Sequence, residues 1–294
     1  MISLLRDAGI SAKPLLISTK DNGPVNTFYP FLNQFNGVLA IVEDEEDLFI
    51  MNAADKFNPY NMIPYDVALT NALIVDKNET TTVSLEADGK FINKIFFTCG
   101  VEPDGTLTGQ STINSSGYAR NVRMSEFRKK RMNEIFEDNN GISIKVDSAA
   151  VNNEQDELLP LEQKVNFSGK MQTGGEYWFL PFNLFTGLGK NQFIAETRVM
   201  DIDFYYPRSY LVTGTYYLPE GFEVNELPKN IKMIMPDTSI VLSRIMQKDG
   251  QNISFRFSLE INVYGYTAEG YPFVKDFFKK MYALLDERIV LKKK

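Results

Sequence analysis

Alternation of apolar and polar residues begins at Thr82-Val83-Ser84-Leu85 and continues through Phe91-Ile92-Asn93-Lys94-Ile95-Phe96-Phe97 as far as Ile113. A period of two residues is typical of β-strands that have one buried face. The pattern is interrupted at Asp88-Gly89 and Asp104-Gly105, and Asp-Gly pairs favour the tight turns of β-hairpins. This stretch therefore predicts antiparallel strands joined by hairpins.

Similar strand signals recur on both sides of this stretch, and helical spacing is confined to three segments. The strands are predicted at Pro14–Ser18, Val38–Glu43, Leu48–Met51, Ile142–Val146, Val165–Phe179, Arg198–Leu218, Ile240–Ile245 and Ile253–Val263. The helices are predicted at residues 2–8, at Ser125–Glu137 with Ser125 as N-cap, and at Tyr271–Asp286. The predicted fold class is α+β, predominantly β.

The chain has 294 residues, which exceeds the size of one ordinary domain. Loop signals at Asn58-Pro59 and Pro64-Tyr65 indicate a first boundary soon after them. We predict an N-terminal unit at residues 1–75, a β-rich module with one helix at 76–195, and a β-sandwich-like module ending in a helix at 196–294. Residues 151–163 are predicted to form an acidic, exposed connection within the second module.

Charge and apolar run length exclude two classes of partner. The net charge is -7 and the pI is about 4.9, whereas a nucleic-acid surface needs a basic stripe, so we expect no nucleic-acid binding. No apolar run approaches the roughly 18 residues that span a bilayer, so no membrane span is predicted. The first nine residues lack the basic and small-residue features of a signal peptide, so none is expected there.

The sequence contains no histidine, which excludes Ser-His-Asp and Cys-His catalysis within this chain and metal sites that use histidine. The single cysteine, Cys99, follows apolar residues in a predicted strand without a basic neighbour, which indicates a buried structural thiol. The run Glu43–Asp47 lacks the spacing of a calcium loop and indicates a solvated hairpin turn. Gly187-Leu188-Gly189-Lys190 is too short for a phosphate-binding loop and indicates a plain turn. No cofactor or metal is expected.

The sequence contains an aromatic group whose first three members are the candidate ligand platform, namely Tyr177, Trp178, Phe179, Phe182 and Phe185, with Tyr205, Tyr206, Tyr216 and Tyr217. Two interpretations are open for this group. The rings are a ligand platform for sugars or peptides, or they belong to the core, where aromatic side chains supply much of the buried area of β-sandwiches. We favour the core.

Three segments near the N-terminus carry a family resemblance. They are Leu4-Leu5-Arg6-Asp7-Ala8-Gly9-Ile10-Ser11-Ala12-Lys13-Pro14-Leu15-Leu16-Ile17-Ser18-Thr19-Lys20, Gln34-Phe35-Asn36-Gly37-Val38 and Leu48-Phe49-Ile50-Met51-Asn52-Ala53-Ala54-Asp55. In this order and spacing they resemble the part of bacterial transglutaminase-like (papain-type) proteins that follows the catalytic cysteine. The resemblance implies that residues 1–75 are a truncated form of that unit.

The resemblance also implies which positions held the family's catalytic groups. Gly37 stands where the family has its catalytic histidine, Asn52 stands where it has an aspartate, and the cysteine would precede Met1. Glycine has no side chain to move a proton, and an amide at Asn52 would orient a ring that is absent. Gly37 and Asn52 are therefore expected to be degenerate catalytic positions.

Further motifs extend the resemblance over most of the chain. They are Gly117-Tyr118-Ala119, Arg123, Arg198, Tyr217-Leu218-Pro219-Glu220-Gly221-Phe222 with Leu227-Pro228, and Ile289-Val290-Leu291-Lys292-Lys293. They look like the β-rich C-terminal region of a multi-domain subgroup of the cell envelope.

We therefore expect a non-catalytic binding or scaffold module of a bacterial cell envelope, placed in the periplasm or at the envelope in the parent protein. Its partner would be an envelope protein, peptide or glycan. The alternative is a fragment of a longer cysteine protease or transglutaminase-like enzyme whose nucleophile lies upstream of Met1.

Overall fold

The computed structural model describes residues 1–29, 31–44, 47–86, 89–129, 134, 138–139 and 142–293. The chain forms two compact units, Met1–Gly89 and Lys90–Lys294. Both are built mainly from β-strands, so the fold is α+β and predominantly β, as predicted.

The first unit is a five-stranded antiparallel sheet preceded by a short helix. The helix α1 is Ile2–Asp7, and the strands are β1 (Ala12–Ile17), β2 (Gly37–Asp44), β3 (Asp47–Met51), β4 (Asn71–Val75) and β5 (Thr80–Ser84), in the spatial order β3-β2-β1-β4-β5. Gly9, with φ of +82°, follows the helix in the left-handed conformation that glycine adopts readily. β2 and β3 pair antiparallel on the two sides of the acidic run, and the expected turn at Glu45 and Glu46 lies outside the described residues.

The second unit is organised around a nine-stranded sheet. Its strands are β6 (Phe91–Val101), β7 (Thr106–Gly117), β8 (Asp138–Asn139), β9 (Ile142–Asn152), β10 (Leu161–Lys170), β14 (Arg208–Tyr217), β16 (Ile231–Ile234), β17 (Ile240–Asp249) and β18 (Asn252–Ile261). Their spatial order is β16-β17-β18-β14-β6-β7-β10-β9-β8. Neighbours pair antiparallel except β6 and β14, which are parallel and join the two halves of the sheet.

Smaller sheets and helices complete the second unit. They are β11 (Gln172–Gly174), β12 (Tyr177–Leu180), β15 (Phe222–Glu226) and β20 (Ile289–Lys293), which form one sheet; the pair β13 (Ile202–Asp203) and β19 (Gly265–Tyr266); and the helices α2 (Tyr118–Lys129) and α3 (Tyr271–Asp286). The helix α3 has the predicted bounds, and its buried face belongs to the same apolar core as β12, β20 and the nine-stranded sheet.

The helix predicted at Ser125–Glu137 begins seven residues earlier, so its predicted start is wrong. In α2, Ser125 lies inside the helix and is not its N-cap, while Met132, Ile135 and Phe136 lie outside the described residues. The start is set by Gly117, whose φ of +57° turns the chain directly from β7 into the helix against the carbonyl of Lys90. Buried contacts of Tyr118 and Met124 then fix the helix, and these outweigh the capping signal.

Two predicted strands are shorter in the structure. The stretch Val165–Phe179 is divided among β10, β11 and β12, and Arg198–Leu218 contains only the two-residue β13 before β14 begins at Arg208. The backbone before Arg208 cannot continue as a strand, because Tyr205 has a φ of +66° and Pro207 has no N–H to donate.

The division into units also differs from the one that the sequence predicts. The boundary lies after Gly89, whereas the sequence predicts boundaries after residues 75 and 195. Strands from the predicted modules 76–195 and 196–294 share one sheet through the pairing of β6 with β14.

Candidate ligand-binding cavity

Gly37 and Asn52, the positions that the family resemblance implies once held catalytic groups, lie at the same end of neighbouring strands. Gly37 is the first residue of β2 and Asn52 directly follows β3, where Ala40 pairs with Met51. The strand spacing places their Cα atoms about 8 Å apart. A Cβ atom at Gly37 would lie 2.5 Å from Cδ1 of Ile17, so an isoleucine side chain occupies the space beside this position. Oδ1 of Asn52 accepts a hydrogen bond from the backbone N–H of Ala54 at 3.0 Å.

Cys99 is buried in β6, as predicted from the sequence. Its side chain is 1% exposed, and desolvation raises the pKa of the thiol to about 12. At neutral pH this cysteine is a protonated thiol, whereas nucleophilic attack requires the thiolate.

The proposed platform residues do not form one stacking surface. Tyr177, Trp178 and Phe179 are consecutive in β12, and consecutive side chains of a strand point to opposite faces. The indole of Trp178 is half-buried, packing edge-on against Phe222 with ring centroids 5.1 Å apart and against the backbone at Gly105. The contacts of Trp178 therefore agree with the favoured core interpretation.

Trp178 is the only tryptophan in the chain, so intrinsic fluorescence reports this site alone. We expect acrylamide to quench the folded protein much less than the same protein in urea, because Phe222 and the Gly105 turn shield the ring. A Stern–Volmer experiment measures the difference. Equal quenching of the folded and unfolded chains would show that Trp178 is freely accessible.

A cavity of about 700 Å³ lies in the second unit, away from β12. Its walls come from the loop 187–193, the segment 198–205, the start of β14, the end of β18 and one face of α3. Its volume is in the range of small-molecule sites. The cavity includes Gly187-Leu188-Gly189-Lys190, the turn for which the sequence indicated no binding role.

The floor of the cavity is apolar and belongs to the core of the unit. It is formed by buried side chains from β13 and the segment after it, from β18 and from α3, namely Ile202, Phe204, Leu259, Ile261 and Phe278. On α3, Phe278, Tyr282 and Asp286 are four residues apart and so lie on one face of the helix. An apolar floor with a few polar groups above it is the usual construction of a ligand site.

Side-chain hydrogen bonds fix the shape of the two loops at the cavity. Buried Thr186 donates to Oδ1 of Asn183 at 2.5 Å and accepts from the N–H of Leu188 at 3.0 Å, while Nδ2 of Asn183 donates to the carbonyl of Leu188 at 3.2 Å. In the segment 198–205, Oδ1 of Asp203 accepts the N–H of Tyr205 at 2.6 Å. These bonds order both walls without help from a ligand.

Tyr205 has an unusual backbone conformation at the rim. Its φ of +66° is unfavourable for an aromatic residue, and its side chain remains 39% exposed. Strained residues of this kind are concentrated at functional sites.

One arginine and two tyrosines, Arg208, Tyr210 and Tyr282, form the inner wall of the cavity. Half-buried Arg208 donates from Nη2 to the carbonyl of Phe204 at 3.1 Å, and its guanidinium lies 5.1 Å from the ring centre of Tyr206. Burial raises the pKa of both Tyr210 and Tyr282, and Arg208 opposes the rise at each. The hydroxyls of both tyrosines therefore remain protonated at neutral pH and serve as donors as well as acceptors.

Sequence reasoning missed this site. Of its residues, Tyr205 was named only as a member of the aromatic group, Arg198 only as part of the resemblance, and residues 187–190 only as a turn. The other residues carry no motif, because the cavity forms from segments that are distant in the chain.

Comparisons with known proteins give a match to a family model and a similarity of fold to a solved structure. Residues 176–291 match the family model "Domain of Unknown Function with solved-structure structure (DUF3858)". A crystal structure from Parabacteroides distasonis, described as a "putative protease", is similar to 99% of this chain, with 12% sequence identity and a TM-score of 0.52. This chain spans 42% of that protein's length. No curated protein matches the chain in sequence.

All residues that line the cavity lie inside the part of the chain that matches the family model. Within the described ranges, no group of three or more His, Cys, Asp or Glu side chains is arranged to hold a metal ion. In that same part of the chain, no helix has both the length and the apolar character needed to cross a membrane.

Proposed function

We propose that this chain is a non-catalytic binding module of a bacterial cell envelope, derived from a transglutaminase-like protein. The observation that carries the proposal is the chemistry of its nucleophile and base positions. The chain has no histidine, and its one thiol is buried with a pKa of about 12. A cysteine enzyme needs a thiolate and a neighbouring base together.

The cavity in the second unit supports the binding part of this proposal. It has an apolar floor, ordered loops and a small number of polar groups, which is the composition of a ligand site. The origin from a transglutaminase-like protein and the location at the envelope are supported by the motifs around Gly37 and Asn52 and by those of the C-terminal half.

The alternative is a fragment of a longer cysteine protease or transglutaminase-like enzyme. It is favoured by the similarity of fold to a longer protein described as a "putative protease". The alternative predicts that the reading frame upstream of Met1 encodes both a cysteine on a helix and a histidine. It also predicts that the extended protein, and not this chain, cleaves peptides.

The purified chain is expected to show no amidase, protease or transglutaminase activity, and Gly37→His is expected to create none. Nucleophile, base and orienting group act as a unit, so restoring one of them recovers almost nothing. The new side chain would also contact Ile17, whose Cδ1 lies 2.5 Å from the Cβ position of residue 37. Turnover of a fluorogenic peptide and of an amine-acceptor substrate measures the activities.

Iodoacetamide supplies the control for this experiment. Cys99 should remain unmodified in the folded chain and react after unfolding in urea, as followed by mass spectrometry, because its Sγ atom is shielded in β6. Peptide turnover by the unmodified chain that iodoacetamide abolishes would refute the non-catalytic proposal.

A further inference from the structure

We propose that the cavity binds a carboxylate ligand with an apolar body, and that Arg208 neutralises the carboxylate. This inference rests on the proposed binding function and names the class of ligand. Two kinds of molecule carry such a carboxylate: a free organic acid, and a peptide with its C-terminal carboxylate.

The charge of Arg208 is the first observation. Its contacts are the carbonyl of Phe204, the ring of Tyr206 and the hydroxyl of Tyr210, and no carboxylate is among them within the described ranges. Its Nε–H is shielded from solvent and has no acceptor among the described residues. A half-buried cation is costly unless an anion compensates it.

Two other arginines of the second unit are each paired with a carboxylate. Arg244 contacts Oε2 of Glu287 at 2.7 Å, and Arg123 contacts Oε2 of Glu126 at 2.9 Å. The chain contains 38 acidic and 31 basic residues, so carboxylates are not scarce. Buried Arg120 is instead satisfied by backbone carbonyls, those of Asn153, Glu154, Asp156 and Leu159. Arg208 has neither solution, because one carbonyl accepts from its Nη2 and its Nε–H has no acceptor among the described residues. The unmet hydrogen-bonding capacity of Arg208 therefore points to an anion from outside the chain.

Two acidic residues also line the cavity, but they lie on its exposed side. Asp203 and Asp286 are solvent-exposed, and Oδ1 of Asp203 already accepts the N–H of Tyr205. Water screens these charges, whereas the charge of Arg208 acts in a half-buried, less polar setting. Exposed Lys190 and Arg198 offset the two acidic charges at the rim. The inner wall therefore favours an anion.

The apolar floor selects the rest of the ligand. The rings of Phe204 and Phe278 lie with centroids 6.2 Å apart, and Phe193 packs 4.5 Å from Phe278. Arg208 and the hydroxyls of Tyr210 and Tyr282 would hold the carboxylate of the ligand. The rest of the ligand would then cover these rings, and an aromatic or branched body suits that position.

Isothermal titration calorimetry with three probes tests the proposal on the full chain. The probes are N-acetyl-Ala-Phe as the free acid, the same dipeptide as its amide, and 4-phenylbutyrate. We expect the acid to bind at least about tenfold more tightly than the amide, because charged hydrogen bonds are roughly twice as strong as neutral ones. If the dipeptide acid binds more tightly than 4-phenylbutyrate, the source is a peptide C-terminus; the reverse order identifies a free acid.

Variants locate the binding site. Arg208→Gln should reduce the affinity for the acid by about tenfold or more and leave the amide unchanged. Arg256→Gln is the matched control, because it removes one positive charge from an exposed position of β18 that does not line the cavity, and it should bind like the unmodified chain. Circular dichroism establishes that both variants fold. If Arg208→Gln does not fold, the ratio of the affinities of the unmodified chain for the acid and for the amide decides whether the cavity selects a carboxylate.

Two results overturn the assignment. Equal affinities for the acid and the amide would show that the cavity does not select an anion. If no probe binds at millimolar concentration, the cavity is not a binding site for this class of ligand. Neither result bears on the absence of catalysis, which is tested by peptide turnover. The failures of the two proposals are therefore distinguishable.

Discussion

Replacing Arg244 with methionine is expected to lower the free energy of unfolding by about 4 kcal/mol. The side chain is 2% exposed and donates to the carbonyls of Lys229 at 2.9 Å and Leu284 at 2.9 Å, and to Oε2 of Glu287 at 2.7 Å. The carbonyl of Leu284 belongs to the last turn of α3, where helices leave carbonyl groups without partners. Methionine would fill much of the volume but leave these acceptors unsatisfied.

Arg256→Met is the matched control for this substitution. Arg256 is exposed on β18, so the same change of side chain should alter stability by no more than about 0.5 kcal/mol. Urea denaturation followed by circular dichroism measures both variants. Coinciding unfolding midpoints of the two would mean that the hydrogen bonds of Arg244 do not contribute to stability.

Gly214→Ala is expected to cost about 3 kcal/mol, because it places an atom between two buried rings. A Cβ atom at this position of β14 would lie 2.5 Å from Cζ of Phe255 and 2.8 Å from Cζ of Phe97. Both rings are 3% exposed and pack against each other with centroids 5.3 Å apart, so neither has free space to move into.

Gly100→Ala provides the comparison on the neighbouring strand. The nearest atom to a Cβ at Gly100 is the carbonyl oxygen of Thr108 at 3.7 Å, an ordinary contact. The reduced freedom of the unfolded chain should make this variant equal to or slightly more stable than the unmodified protein. If both alanine variants unfold at the same urea concentration, crowding at Gly214 is not the cause of any loss.

Elements with strong local signals were predicted closely from the sequence. The helix at Tyr271–Asp286 was predicted with its observed bounds, because an apolar face at helical spacing fixes a long helix. The strands at Ile240–Ile245 and Ile253–Val263 were predicted from their strand signals, and the structure joins them as the hairpin of β17 and β18 at Gly250, whose φ is +58°. In both cases the residues that determine the structure are close together in the chain.

Features that depend on distant contacts were not predicted. The start of α2 depends on the turn at Gly117 against Lys90, and the parallel pairing of β6 with β14 depends on how the two halves pack. The cavity also belongs to this class. Arg208 has no motif around it, and its role follows only from the acceptors and rings that the fold brings near it.

The parallel pairing of β6 with β14 also has a consequence for how the chain folds. The segment between the two strands contains β7 to β13, so their contact closes a long loop and costs conformational entropy before burial compensates for it. During synthesis, β6 can pair with β7 at once, but its other edge has no partner until β14 has been made. An unpaired strand edge is a template for association with other chains. We therefore expect the nascent protein to be most prone to aggregate in the interval between the synthesis of Val101 and that of Tyr217.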